Sequence, residues 1–451
     1  MNSRLKGERL WVHRSPHLLG RRNPRQVRSS GVRMDKRKVR RILLIAYHFP
    51  PVGLSSGLQR TLSFARHLSS YGWQPMVLTI HPRAYQARRD DQLTDIPGNL
   101  IVTRAFGLDS ARQLALAGHY FSWTALPDRW VSWWIGGVTS GLRLIQRYRP
   151  TVIWSTYPIA SAHLIGLTLQ RFTGLPWVAD FRDSMTEEGY PPDPTRRRIY
   201  RWIERRTVAR CTCAVFTTPG AVQMYRARYP VENGNKWRLI ANGYDERNFE
   251  RAEALARRRI SPRGRLRLVH SGVLYPSERD PRPFFAALAN LKARGIISRQ
   301  NLEVVLRATG HDDYHRGLLT TQGLDDLVVL EPGIAYEAAL LEMLESDGLL
   351  LFQAANCNHQ IPAKVYEYLR ARRPILALTD PEGDTARLLR DAGVDTIVPL
   401  DDANAIAAAL SEFLGMIKQG NAPLASESVV TSHSRRQRTE ELATILNEVA
   451  G

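Results

Sequence analysis

A chain of 451 residues is too long for one hydrophobic core, and 43% apolar with 24% charged residues excludes a wholly disordered or fibrous molecule, so two α/β domains are expected. The net charge of +20 is unevenly spread: residues 1–41 carry 14 Lys or Arg against Glu8 and Asp35, which argues against a nucleic-acid-binding body. Three cysteines, Cys211, Cys213 and Cys357, cannot pair completely and sit in no ligand-like cluster, which points to a reducing, cytoplasmic setting without structural zinc.

Residues 1–40 read as a basic, disordered tail without the apolar stretch or small-residue cleavage site of a secretory signal. Met34, followed by Asp-Lys-Arg-Lys-Val-Arg-Arg and then at once by a strand, suggests a start of translation there, with residues 1–33 as an extension. No run reaches the roughly 18 apolar residues that a spanning helix needs. Gln113–Pro127 and Trp130–Leu142 come nearest, and they gather Tyr120, Phe121, Trp123, Trp130, Trp133 and Trp134. Core burial and a membrane interface, where indole rings are favoured, both account for that gathering.

Arg41–Tyr47 is a short apolar run of the kind a buried parallel strand gives. Residues 48–57 form the following loop, and Leu58–Tyr71 reads as a helix with Leu62, Ala65 and Leu68 on one face. Further strands are expected at Pro75–Ile80, Thr151–Ser155, Trp177–Phe181, Ala214–Thr217 and Arg238–Ala241, with a helix around Val138–Arg147. Asn242-Gly-Tyr-Asp is a turn, and the charged stretch Arg251–Arg265 marks a domain boundary, giving domains at 41–250 and 251–429. The second domain carries strands at Leu266–His270, Leu302–Arg307, Leu327–Leu330, Gly348–Phe352, Ile375–Leu378 and Thr396–Pro399. Alternating strands and helices at this spacing predict two doubly wound parallel sheets. The lack of a Gly-x-Gly-x-x-Gly fingerprint weighs against a dinucleotide oxidoreductase. The last helix, about Arg435–Ala450, has no sheet left to join.

Residues 361–378 are the most informative stretch. A polar turn carrying Pro362 and Lys364 opens a short helix containing Glu367, and Pro374 then leads into an apolar strand. A helix start offers free amide N–H groups and a positive dipole end, which suits a diphosphate. Glu367, one turn in, is placed to accept hydrogen bonds from sugar hydroxyls. An ordinary helix–strand unit with a solvated Lys and Glu is the alternative.

This arrangement resembles the donor-binding element of glycosyltransferase family 4, and the resemblance covers nearly all of residues 41–450. Pro50-Pro-Val-Gly53 to Arg60 is similar to that family's glycine-rich loop, and Ala179-Asp-Phe-Arg-Asp183 to a signature of one bacterial branch. Asn242-Gly-Tyr-Asp, His270-Ser-Gly-Val-Leu-Tyr275 and Ile361–Leu369 follow in the expected order. The resemblance implies a GT-B fold: two Rossmann-like domains facing across a cleft, with residues 430–451 returning as a helix to the first domain. It also implies a retaining enzyme that moves a sugar from a nucleotide-sugar to a cell-envelope, lipid-linked or polysaccharide acceptor. A non-catalytic, GT-B-shaped binding or scaffold protein is the competing class.

On the donor side, the resemblance assigns Lys364 and Arg279 to the leaving diphosphate, where fixed cations help most as charge builds up. Ser271 and Gly272 would offer backbone N–H groups there, and Glu367 would hold the ribose. His359, Gln360, Ile361 and Pro362 complete this side. Many family members carry Glu where His359 stands, so the sugar is left open. On the acceptor side stand Gly53, Ser55 and Ser56 in a flexible loop, with His163, Asp180, Arg182 and Asp183, the last expected to orient the acceptor. An Arg182–Asp ion pair that only holds its loop, and a packed helix histidine at 163, are the alternatives. No Asp-x-Asp motif stands at a strand end, so neither a metal nor another obligatory cofactor is expected beyond the nucleotide-sugar co-substrate. Residues Arg196–Arg210 hold seven arginines against Glu204, with Ile199, Trp202 and Ile203 interleaved. That suits peripheral contact with an anionic membrane, at the inner face of the plasma membrane, or a merely solvated face.

Overall fold

The computed structural model describes residues 40–53, 56–90, 92–115, 119–256 and 264–451. The readings made on residues 1–39, the start near Met34 among them, and on Ser55 lie outside the described residues.

Seven strands form the first sheet: β1 (Arg40–Ile45), β2 (Trp73–Ile80), β3 (Ile101–Ala105), β4 (Val152–Thr156), β5 (Trp177–Arg182), β6 (Cys213–Phe216) and β7 (Trp237–Leu239). Their order is β3-β2-β1-β4-β5-β6-β7, with every neighbouring pair parallel. Six more form the second sheet: β8 (Leu266–Ser271), β9 (Leu302–Arg307), β10 (Val328–Glu331), β11 (Gly348–Phe352), β12 (Ile375–Leu378) and β13 (Ile397–Val398). Their order is β10-β9-β8-β11-β12-β13, again all parallel. Central strands are buried on both faces, which explains why β1 and β11 read as unbroken apolar runs rather than alternating ones.

β3 was not expected from the sequence. It is an edge strand, half-buried along most of its length, and its Ile-Val-Thr-Arg-Ala run is neither continuously apolar nor alternating. The boundary region also differs. Glu246–Ala256 is a helix that packs Phe249 and Ala252 into the core of the second sheet beside Leu340 and Met343. Its charges face outward, where Arg370 binds Glu246 and Glu253. Ala252 lies three positions after Phe249, about one helical turn, and that spacing is easily lost among so many charges.

Helix α1 (Ser56–His67) follows the loop after β1. Helices α2 (Trp133–Tyr148), α3 (Ala160–Thr173) and α4 (Pro194–Arg210) lie side by side on the first domain. Helix α5 (Lys364–Ala371) precedes β12, and α6 (Arg435–Val449) ends the chain. Leu442, Ala443, Ile445 and Leu446 of α6 enter the core of the first sheet. Asn447 fixes that docking, its side-chain oxygen accepting from Arg40 (3.0 Å) and from the Trp73 indole (3.1 Å). The terminal helix therefore crosses back to the first domain, as a GT-B fold requires. Among the described residues, no helix is long and apolar enough to cross a membrane.

Strand order reverses between β1 and β4 in one sheet and between β8 and β11 in the other. Open α/β sheets bind ligands beyond the carboxyl ends of strands at such points. The loops after β1, β8 and β11 are thus where chemistry is expected.

Candidate active site

Those loops, with the chain after β10, enclose a cavity of about 490 Å³ between the two sheets. It brings together six of the sequence candidates: Gly53, Gly272, Arg279, Pro362, Lys364 and Glu367. Ser271 lies beside it, its amide donating to the Tyr368 hydroxyl (3.1 Å).

Lys364 opens α5, whose start carries no side-chain cap, and Pro362 and Ala363 also line the cavity. The positive end of that helix is accordingly turned to the space. Lys364 Nζ lies 3.2 Å from His270 Nε2. The same ring nitrogen lies 3.1 Å from the Gly272 carbonyl, and Nδ1 lies 2.9 Å from the Leu350 carbonyl, so the imidazole ties the Gly272 turn and Lys364 to β11. Burial, then the charge of Arg279, push the Lys364 ammonium well below its ordinary range, opposed by Glu367.

Gly272 carries a φ of +117°, a conformation side chains rarely adopt. A Cβ built there would lie 2.7 Å from Lys364 Nζ, so glycine at 272 is what lets the lysine reach this wall of the cavity. Arg279 donates through Nη1 to the Val273 carbonyl (2.9 Å) and lies over the Tyr275 ring (5.5 Å), so its fork is anchored at one end beside the cavity. Glu367 Oε1 accepts from the Tyr336 hydroxyl at 2.6 Å. Burial pushes its carboxyl up, opposed by that hydrogen bond, Arg435 and Lys364.

Other candidates lie elsewhere. The His359 imidazole is taken by Glu187 of the first domain (2.9 Å), and its carbonyl accepts from Thr218 (2.6 Å). Gln360 contributes its carbonyl to Gln353 (2.9 Å) and Thr385 (3.1 Å). Ile361 packs against the core of the second sheet. This loop joins the two domains, and neither His359 nor Gln360 lines the cavity.

Two of the acceptor-side candidates lie in the interior of the first domain. Asp180 is fully buried and held in a fork by Arg60 Nε and Nη2, both at 2.9 Å, with Thr156 donating at 2.9 Å. It braces β5 against α1. His163 is sealed in the core among Tyr157, Trp177 and Phe181. The Trp177 indole donates to Ser155 Oγ (2.9 Å), which lies 2.8 Å from His163 Nδ1. Burial lowers the His163 pKa to about 3.

Arg182 ends β5 at a bulge, with a φ of +60°. Its guanidinium lies against the Tyr157 carbonyl (3.3 Å) and below Gly57, where a Cβ would come within 2.6 Å of Nη1. Bulges of this kind redirect the following side chain. Asp183 is that residue; burial raises its carboxyl, while the nearby charges of Arg182 and, more weakly, His359 lower it. The backbone of Ser56 begins α1 next to this loop.

Sequence reasoning missed several contributors. Tyr336 and Arg435 line the cavity, and Arg435 is buried with its Nε unpaired. Arg435 opens α6, a helix assigned wholly to docking, and nothing in its local pattern signals a second duty. His270 stood inside a quoted motif without a role. Glu187 and Arg89, whose Nη1 donates across the cleft to the Ile334 carbonyl (3.0 Å), sit in irregular loops without periodicity.

Residues 55–243 match a family model described as a glycosyl transferase 4-like domain. No curated protein matches the sequence significantly. Sucrose-phosphate synthase from Thermosynechococcus elongatus superposes with a TM-score of 0.62 at 16% identity, over 91% of this chain and 98% of that one. The Anabaena protein HepE, in complex with UDP and glucose, gives 0.63 at 12% identity, over 91% and 100%. The α,α-trehalose 6-phosphate synthase of Burkholderia multivorans gives 0.63 at 13% identity, over 91% and 97%. At these identities the likeness is one of fold: the chain has the two-sheet GT-B architecture of glycosyltransferases, and its first half matches a glycosyl transferase 4-like domain.

Proposed function

We propose that this protein is a retaining glycosyltransferase that moves a sugar from a nucleotide-sugar donor to a cell-envelope, lipid-linked or polysaccharide acceptor. The observation that carries this reading is the convergence of Lys364, Arg279, Gly272, the start of α5 and Glu367 on one interdomain cavity. Two cations and a helix N-terminus suit a diphosphate leaving group, whose negative charge grows as the glycosidic bond breaks. Glu367 is placed to accept from ribose hydroxyls, with Tyr336 fixing one of its oxygens. HepE, of the same fold, is described with UDP and glucose bound, which favours a nucleotide-sugar here as well.

Asp183 would orient the acceptor from the first domain, and the donor phosphate would take the acceptor's proton, in keeping with retention. Three buried free thiols fit a reducing, cytoplasmic compartment. The test is release of nucleoside diphosphate from a panel of sugar nucleotides, with the anomer of the product read by NMR. Turnover lost in Lys364→Ala with the fold intact supports the reading. Donor binding without hydrolysis or transfer to any offered glycan acceptor would favour the scaffold alternative.

A further inference from the structure

Helices α2, α3 and α4 form an outer face of the first domain that the reaction proposed above does not use. Between them runs a groove of about 590 Å³, lined by Trp134, Ile135, Val138, Leu167, Phe172 and Trp202. Its side chains stand out rather than in: Phe172 is 71% exposed, Ile135 62%, Trp202 45% and Trp134 41%. The Trp134 indole is anchored across the groove by a hydrogen bond to Thr168 Oγ1 (2.9 Å). Arg171, Arg206 and Arg210 rim it. An exposed apolar surface rimmed by charge marks an interaction site.

The charge of this face identifies its partner. The three helices carry Arg143, Arg147, Arg171 and seven arginines of α4, against the single acid Glu204. Glu204 does not offset them at the surface, because it is buried and bound by Arg228, Tyr225, Tyr229 and Thr186. A protein partner would have to bring both a large apolar plug and many carboxylates, and nucleic acid would leave Ile135 and Phe172 uncovered. An anionic bilayer supplies phosphate at the depth of the arginines and hydrocarbon at the depth of the groove. Indole and guanidinium side chains favour that boundary.

We propose that this face docks on a bilayer containing anionic phospholipid, with Ile135, Phe172, Trp134 and Trp202 entering the interface and Arg171, Arg206 and Arg210 pairing with headgroups. Trp202 also borders a second, polar pocket whose wall includes Glu187, the residue that holds His359 between the domains. The docking face therefore adjoins the interdomain region, so an acceptor carried by the membrane would arrive close to the cleft.

The experiment is flotation of the full chain with vesicles, in the absence of any sugar nucleotide, so its outcome does not depend on turnover. Phosphatidylcholine vesicles are compared with vesicles holding about 30% phosphatidylglycerol, where each arginine near the surface adds to attraction. Wild type is expected to float with the anionic vesicles and stay behind with the neutral ones. Arg171→Gln/Arg206→Gln/Arg210→Gln is expected to weaken binding at least about tenfold. Ile135→Ser/Phe172→Ser, at exposed positions that leave the melting temperature unchanged, is expected to weaken it comparably and to leave a remnant abolished by salt. That second variant separates this face from the basic residues 1–41, whose attraction would be insensitive to it. Wild-type binding by both variants, no binding by wild type, or capture of single-stranded RNA through the same arginines without vesicle binding would each overturn the proposal.

Discussion

Gly272→Ala tests how the cavity is built. The residue sits at a φ of +117°, where a side chain costs on the order of 1–3 kcal/mol of stability. Its new Cβ would also lie 2.7 Å from Lys364 Nζ and 3.3 Å from Lys364 Cε, too close for either atom to stay. The lysine head is the flexible partner and must move away from His270 and from the start of α5. Loss of one charge-assisted hydrogen bond to a diphosphate is worth about 1.5–3 kcal/mol, roughly ten- to a hundredfold in donor affinity. Calorimetric titration of the donor into wild type, Gly272→Ala, Lys364→Met and the double variant reads this out. Because the alanine is expected to act through the lysine, the two losses should overlap, with a coupling of about 1 kcal/mol or more. Additive losses within about 0.5 kcal/mol would refute the argument. So would wild-type affinity in Gly272→Ala.

Four further outcomes follow from the same geometry. Glu367→Ala should weaken donor binding about ten- to a hundredfold while the fold survives, checked by titration and melting, since it removes a charged acceptor from the cavity wall. Asp180→Asn should lower stability by about 3–5 kcal/mol in urea unfolding, because it breaks a buried, forked ion pair with Arg60 and leaves the guanidinium uncompensated. His163 is held neutral with a folded pKa of about 3 against 6.5 unfolded, so its contribution is complete above pH 6.5 and is lost as pH falls toward 3. His163→Gln should flatten that acid limb in melting curves and leave turnover per folded molecule unchanged. Lys364 is pushed toward its neutral form by burial and Arg279, so donor binding in mildly alkaline buffer should take up a proton. Calorimetry in buffers of different ionisation enthalpy detects that uptake, and Lys364→Met should abolish it.

Twelve of the thirteen strands were legible, the central ones such as β1, β11 and β12 because strands buried on both faces leave unbroken apolar runs. β3 was not, because its half-buried edge position carries Thr103 and Arg104 and shows neither an apolar run nor an alternation. On the second-domain side of the cavity, Gly272, Pro362, Lys364 and Glu367 sit at a strand end or a helix start, within local patterns that carry their own physical reason, while Arg279 was reached through the family resemblance. On the first-domain side Gly53 was legible and the rest was not. Asp180 and His163 share strand-end or helix-start positions with the cavity-lining candidates, yet their partners, Arg60 and Ser155, are brought to them only by the tertiary fold. Arg435 and Glu187 were hidden for the same reason, since chain ends and irregular loops carry no period to read.

The account rests on a sugar nucleotide lying in the cavity between the sheets, and a crystal structure of the chain with its bound donor tests this most directly. The account predicts the diphosphate between the Gly272 turn and the start of α5, within hydrogen-bond reach of Lys364 and Arg279, with a ribose hydroxyl on Glu367. A donor bound elsewhere on the molecule, or one seated in the cavity with both cations turned away from its phosphates, would contradict it.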